Sequence, residues 1–280
     1  MHEGIHIALK AEAVTHVLGV PITNTMLMSW LVMMVLVALG YVVGKNLVKI
    51  PGRLQAFFET VFAFFLDYLE EVLESRELAH RFLPLIATLF MFILLGNWFG
   101  LLPGIGSIYV ESPEVHAEVY VTDPTLEHYH EQEEEHGEHA AAAVHHEESH
   151  SISLFYPVSV DLNVTLALAI ISFITVEVAG VLYVGLFKYL GKFFNFRSPI
   201  GFLVGIIEFI SEFIRLISFS FRLFGNMFAG KTLILVAMFF IPYIVPVPLM
   251  AYEFFVGFVQ ASIFSLLTLF FVKLAITPVH

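Results

Sequence analysis

The chain has 280 residues, of which 58% are hydrophobic and 14% charged, and its mean hydropathy is +0.85. Soluble domains carry about 25% charged residues, so this composition excludes most soluble enzymes, disordered chains and nucleic-acid-binding proteins. The net charge of -12 comes from residues 111–148, which hold 12 of the 25 acidic residues and no Lys or Arg. The absence of cysteine excludes disulfides and Cys-ligated zinc. The composition predicts a polytopic membrane protein.

Five apolar runs are long enough to cross a hydrocarbon core about 30 Å thick, which takes about 20 helical residues. In chain order these runs are Thr25–Gly44, Phe82–Leu102, Val160–Leu186, 199–240 and 249–276. The last two are too long for upright helices, since 40 residues of helix measure about 60 Å. Either both runs break or both lie steeply tilted. The predicted fold class is all-α, with about five membrane-embedded helices.

Two further segments differ from these runs in composition. In residues 51–77, acids recur among aromatics every three or four residues, which predicts an amphipathic helix at the membrane interface or against a partner. Residues 106–152 are rich in Glu and His and predict a solvated loop. We therefore divide the chain into an N-terminal part (1–105), this acidic loop, and a C-terminal part (153–280).

The distribution of Lys and Arg predicts the orientation. Basic residues lie between the first and second runs and after the third, whereas the segments 106–152 and 241–248 have none. Basic loops face the cytoplasm. We expect the N-terminus and the acidic loop outside and the C-terminus inside.

A stripe of polar residues marks the fourth run. At 100° per residue its members fall within about 40° of Arg222: Glu208, Ser211, Arg215, Ser218, Arg222 and Asn226. Charges at bilayer depth mark an ion path or a paired structural site. Glu208 and Arg215 are spaced for a structural pair, but Arg222 has no acid one turn away, which favours an ion path there. Lys231 points to the opposite side.

Other polar residues lie in the neighbouring runs. Glu253, Gly257 and Gln260 share one face of the last run. Asp161 and Asn163 begin the third run. Glu177 lies deeper in the third run, where a local hydrogen-bonded role is the alternative to ion conduction.

The segment FSFRLFGNMFAGK (219–231) resembles the signature of subunit a of the F-type rotary ATP synthase, the membrane stator beside the ring of c subunits. The resemblance continues in family blocks in the same order: PITNTMLMSW (21–30), PGRLQAFFE (51–59), FLPLIATLFMFILLGNWFGLLPG (82–104), SVDLNVTLALA (159–169) and EFISEFIRLISFSFRLFGNM (208–227). It implies that the last two helices are strongly tilted around the ring. It also implies a c-subunit ring, a b-subunit peripheral stalk and a catalytic head as partners in a bacterial inner membrane. No cofactor, metal or catalytic residue is expected in this chain.

The resemblance also implies roles for single residues. Arg222 matches the essential stator arginine that faces the ring, and Glu208 matches the half-channel glutamate fourteen residues upstream. Gln260 matches the glutamine of the last helix opposite the arginine. Asn226 matches the asparagine of the signature. Asp161 and Asn163 match polar residues at the entrance side.

The chain departs from the family pattern at Lys231 and Glu253. Many bacterial members have Glu and His at these two positions, and mitochondrial-type members exchange them. This chain resembles the exchanged arrangement with Lys in place of His. Because an ammonium group relays protons poorly at pH 7, the alternative is that Lys231 pairs with Glu253.

The second departure is the acidic loop, which carries eight histidines: His116, His128, His130, His136, His139, His145, His146 and His150. We expect a dispensable insertion. A metal-binding segment and a proton-collecting surface are the alternatives.

The resemblance implies a proton path made of two offset half-channels, with Arg222 as the electrostatic barrier between them. The outer candidates are Asp161, Asn163, Glu253 and Gln260, and the inner candidates are Glu208, Glu212 and Glu177. A proton-coupled secondary transporter is the main alternative function, since it too would have buried charges. Such transporters usually show internal repeats, and the sequence has none that we can detect. A structural membrane scaffold is the third possibility.

Overall fold

The computed structural model describes residues 13–17, 20–45, 47–102, 105, 108–111, 151–193, 199–242 and 244–277. Seven α-helices lie in this part of the chain: α1 (Asn24–Lys45), α2 (Arg53–Leu73), α3 (Arg76–Leu101), α4 (Leu162–Val184), α5 (Leu186–Phe193), α6 (Pro199–Phe240) and α7 (Pro246–Ile276). Four of them, α1, α3, α4 and α7, are long and apolar enough to cross a membrane. The predicted all-α polytopic membrane fold is confirmed.

The core lies where α3, α4, α6 and α7 meet. Ile86, Leu223, Phe264 and Leu269 are among its fully buried side chains. Two buried hydroxyl pairs also join α4 to its neighbours, since the Thr165 and Ser220 hydroxyls are 3.1 Å apart and those of Ser172 and Thr268 are 2.7 Å apart. The long C-terminal helices therefore pack against one another through both apolar and polar contacts.

The amphipathic helix predicted in residues 51–77 is α2. It buries Phe65, Leu69 and Leu73 toward α3, and it exposes Phe57 and Phe64 on the opposite side. A left-handed Glu74 (φ 55°) ends α2, and the Ser75 side chain accepts the Leu78 amide at the start of α3. These two local features fold α2 back against α3.

The two longest apolar runs each form one unbroken helix. Of the two alternatives that the sequence left open, a broken helix is therefore wrong for α6, which has 42 residues and measures about 63 Å. Prolines at the start of α7 fit its first turn, where a backbone amide has no helical partner. The tilt of both helices against a membrane stays a prediction.

Short elements that the sequence did not predict flank the helices. Two small antiparallel ladders form between β1 (Ala13–Val17) and β2 (Val20–Thr23), and between β3 (Tyr109–Glu111) and β4 (Ser151–Ser153). The second ladder joins the two ends of the acidic segment by pairing Glu111 with Ser151. The loop prediction for 112–150 falls outside the described residues.

Candidate functional site

The polar stripe lies along α6 on the border between a packed face and an exposed one. The charged members of the stripe are half-buried: Glu208, Arg215 and Arg222. The uncharged members are exposed: Ser211, Ser218 and Asn226. On one side of the stripe Leu223 and Met227 are buried among the helices of the bundle. On the other side Ile217 and Phe221 are about half exposed. The stripe thus borders an apolar face that no described part of this chain covers.

Arg222 stands on this border without a hydrogen-bond or ion-pair partner in the described part of the chain. Its guanidinium carbon is 5.7 Å from the centre of the Phe219 ring. It forms no ion pair and no hydrogen bond with any residue that the structure describes. A guanidinium is permanently charged and offers five donors. No described residue of this chain therefore neutralises the charge of Arg222 through an ion pair.

One turn further along α6, a hydrogen bond links the stripe to α7. The Asn226 side-chain nitrogen donates to the Gln260 side-chain oxygen at 2.8 Å. Gln260 is only 2% exposed, and its own amide nitrogen has no partner among the described residues. The resemblance implies that Gln260 lies opposite Arg222, and in the structure Gln260 contacts Asn226, one turn beyond Arg222.

A buried line of polar side chains continues from Gln260 along the α3–α7 contact. Glu253 is 3% exposed and lies two turns before Gln260, with Gly257 between them. Asn97 of α3 is fully buried beside Gly257, where an added Cβ would lie 3.3 Å from the Asn97 Cβ. Neither amide atom of Asn97 has a partner in the described chain.

Asn97 was not among the residues predicted from the sequence. The signal was available, since Asn97 is the one amide in the apolar run Phe82–Leu102, and polar groups at that depth are expensive unless they serve a purpose. We call the set Glu253, Asn97, Gln260 and Asn226 the polar column.

The ion pair between Lys231 and Glu253, one of the two alternatives for Lys231, does not form in the described structure. The Lys231 nitrogen lies 3.5 Å from the centre of the Tyr156 ring, a cation–π contact. The Glu253 carboxylate packs directly against Gly230 of α6. No ion pair joins the two side chains within the described chain. The reason is helical geometry, because residue 231 points about 100° away from residue 230, which faces α7.

Asp161 lies at the start of α4, where it holds local structure together. One carboxylate oxygen accepts the Asn163 backbone amide at 2.9 Å and so caps α4. The other oxygen accepts the Thr25 hydroxyl of α1 at 2.6 Å. Asp161 is buried, whereas the Asn163 side chain is exposed. The structure thus gives Asp161 an anchoring role, and its role in conduction stays a prediction.

Fold and site together define an all-α polytopic membrane protein in which α3 and α7 bury a line of polar side chains. This line reaches α6 at Asn226, one turn from an arginine that has no ion-pair partner among the described residues. The family model of the ATP synthase A chain matches residues 26–273. ATP synthase subunit a of Syntrophobacter fumaroxidans is 30% identical over 257 residues, which cover 90% of this chain and 84% of that relative. The chain belongs to the ATP synthase A chain family.

Other relatives of the same name extend along nearly the whole chain. The protein of Moorella thermoacetica is 27% identical over 264 residues, which cover 94% of this chain and 95% of the relative. That of Gloeobacter violaceus is 30% identical over 256 residues, which cover 90% of this chain and 83% of the relative. The resemblance based on the segment 219–231 is therefore confirmed.

Proposed function

We propose that this chain is the membrane stator subunit of a rotary ATP synthase and translocates protons through two offset half-channels. It carries no catalytic site of its own. Arg222 is the electrostatic barrier between the half-channels. The observation that carries the proposal is the position of Arg222, which has no hydrogen-bond or ion-pair partner in the described chain. It also borders an exposed apolar face and lies one turn from the Asn226–Gln260 bridge.

The outer half-channel follows the polar column. Glu253, Asn97 and Gln260 are buried along α3 and α7, and Asn226 connects them to the stripe beside Arg222. Asp161 and Asn163 lie at the start of α4 as the candidates for its entrance. Buried carboxyl and amide groups in a row support proton movement because each offers a hydrogen-bonding site.

The inner half-channel lies at the other end of α6. Glu208 precedes Arg222 by fourteen residues, or about 21 Å of helix. Glu253 packs against Gly230, which follows Arg222 by eight residues, or about 12 Å. Along α6, the Glu208 and Glu253 carboxylates therefore lie on opposite sides of Arg222, as offset half-channels require.

The mechanism follows from the charge of Arg222. A ring carboxylate takes a proton from one half-channel, passes through lipid in its neutral form, and loses the proton beside Arg222 into the other half-channel. The guanidinium favours the ionised carboxylate and repels cations that would cross directly. At about 150 mV each proton delivers about 3.5 kcal/mol, which a direct leak would dissipate.

The exposed apolar face of α6 beside the stripe supports a c-subunit ring as the partner of this surface. A b-subunit peripheral stalk and an ATPase head complete the proposed complex. The similarity to ATP synthase subunits a of bacteria supports a bacterial inner membrane location. The basic loops support an orientation with the N-terminus outside and the C-terminus inside.

The test is isolation of a tagged chain from membranes, as the original sequence and as Arg222→Gln. We expect both to co-purify with an oligomeric ring and an ATPase head, and only the original to support ATP-driven proton pumping after reconstitution. A chain that purifies alone and still moves protons would support the secondary transporter instead.

A further inference from the structure

Aromatic side chains of α6 and α7 form a buried group beside the polar stripe. The centre of the Phe219 ring lies 5.2 Å from that of Phe264 and 5.4 Å from that of Phe271, with interplanar angles of 42° and 43°. Phe219 is 5% exposed and Phe264 is 2% exposed. Close packing leaves a buried ring little room to turn. The two rings of α7 therefore fix the position of the Phe219 ring.

Each arginine of the stripe lies over one ring of this group. The Arg222 guanidinium carbon is 5.7 Å from the centre of the Phe219 ring, and the Arg215 guanidinium carbon is 4.0 Å from the centre of the Phe271 ring. Both distances fall within the roughly 6 Å over which an aromatic face attracts a cation. Phe219 and Arg222 are three residues apart on α6, a spacing that brings side chains of one helix face together. The contact between these two side chains is thus built into α6 itself.

An aromatic ring holds a cation differently from an acid. The attraction comes from the quadrupole of the ring, so it neutralises no charge, and it strengthens where water is excluded. Arg222 has no hydrogen-bond or ion-pair partner among the described residues. The Phe219 contact therefore restrains a long side chain and leaves its charge available to the carboxylate of a c subunit.

We propose that Phe219 is the positioning residue of Arg222, and that its ring holds the guanidinium between the two half-channels through a cation–π contact. This inference rests on the proposed function. A guanidinium acts as a barrier only while it stays between the half-channels. Without the ring, the many rotamers of an arginine spread the charge over several positions. The tightness of the barrier thus depends on the electron density on the face of the Phe219 ring.

Fluorinated phenylalanines at position 219 test the inference, because each ring fluorine withdraws electron density from the aromatic face and changes the size of the ring little. Complexes with one, two or three fluorines on this ring are purified whole and reconstituted in liposomes. Passive proton flux under an imposed potential, without ATP, is measured per assembled complex. We expect the flux to rise with each fluorine and to reach about threefold to tenfold the original value with three. Phe219→Leu, which removes the ring, should leak at least as much.

Phe90 of α3 is the matched control. It is also 5% exposed, and its ring centre lies 4.9 Å from that of Phe65 and 5.9 Å from that of Phe258. Among the described residues, no guanidinium or ammonium group lies over this ring. The same fluorinated residues at position 90 should leave the proton flux unchanged.

An original proton flux across the whole fluorinated series at position 219 would overturn the inference. A leak in Phe219→Leu alone, or an equal rise at position 90, would overturn it too, since both results assign the ring to packing. Because the fluorinated rings keep the packing, the test stands even if Phe219→Leu fails to assemble.

Arg222→Ala in the same liposomes separates failure of this inference from failure of the proposed function. If Arg222→Ala leaks while the fluorinated variants stay tight, only the role of Phe219 is wrong. If Arg222→Ala stays tight and synthesises ATP, the proposed function itself is wrong.

Discussion

At the scale of single residues, Gly230 and Lys231 show how one step along a helix separates two environments. Gly230 faces α7 and leaves room for the Glu253 carboxylate, while Lys231 turns to the Tyr156 ring. The spacing of residues in the sequence matched Lys231 and Glu253 to two positions of the family pattern. It contains no information on whether these two side chains contact each other. Contacts between distant segments decide that point.

Gly230→Ala should therefore damage proton translocation. The new methyl group would occupy the position of the Glu253 carboxylate and displace it from the polar column. Because small displacements at a reacting site are costly, we expect proton pumping by the purified, reconstituted complex to fall on the order of tenfold to a hundredfold. Gly40→Ala in α1 is the control, since an added Cβ there meets nothing within 4 Å. Equal pumping by both variants would show that Glu253 does not need this position.

At the scale of elements, the apolar runs of the sequence were sufficient to predict where the long helices lie, but they were insufficient to predict the short helix α5. Runs of apolar residues predicted α1, α4 and α6 within two residues at most ends, because burial in lipid or core demands such runs. The short helix α5 was missed, since the break before it depends on the backbone of one residue, Gly185, within an apolar stretch. The polar column was found in part, and Asn97 needed the α3–α7 contact to be recognised.

The start of α4 gives a prediction at this scale. Asp161→Ala removes the cap of α4 and the bond to Thr25 of α1, so we expect the complex to lose about 1–2 kcal/mol of stability. Thermal denaturation of the purified complex measures this loss. Thr175→Ala is the control, because its hydroxyl bonds the Ile171 carbonyl within the same helix. Unchanged stability with blocked pumping would assign Asp161 to the channel entrance instead.

At the scale of the whole molecule, the helical bundle and the acidic segment are separable features. Residues 112–150 contain 11 acids and lie between two strands whose pairing holds the ends of this segment together. Composition predicted its solvation but not the ladder at its base, since short strands carry little periodic signal. Because the two strands are paired, the two ends of the segment lie next to each other where they join the helical bundle.

Replacing residues 112–150 with Asn-Gly should therefore leave assembly and coupling intact. Glu111 and Ser151 are paired, and Asn-Gly forms the two-residue turn that such a pair accepts. ATP synthesis by reconstituted complex, measured over a range of outer pH, checks this expectation. A loss of synthesis at alkaline outer pH that acidification restores would instead favour a proton-collecting role. Inhibition of the intact protein by a chelator would favour metal binding.

In the proposed mechanism, the charge of Arg222 separates the two half-channels. Passive proton flux under an imposed potential, measured in liposomes that contain the assembled complex without ATP, tests it most directly. The Arg222→Ala complex should leak protons and synthesise no ATP, whereas the Arg53→Ala control, at an exposed position at the start of α2, should remain tight and active. A tight Arg222→Ala complex that synthesises ATP at the normal rate would contradict the claim.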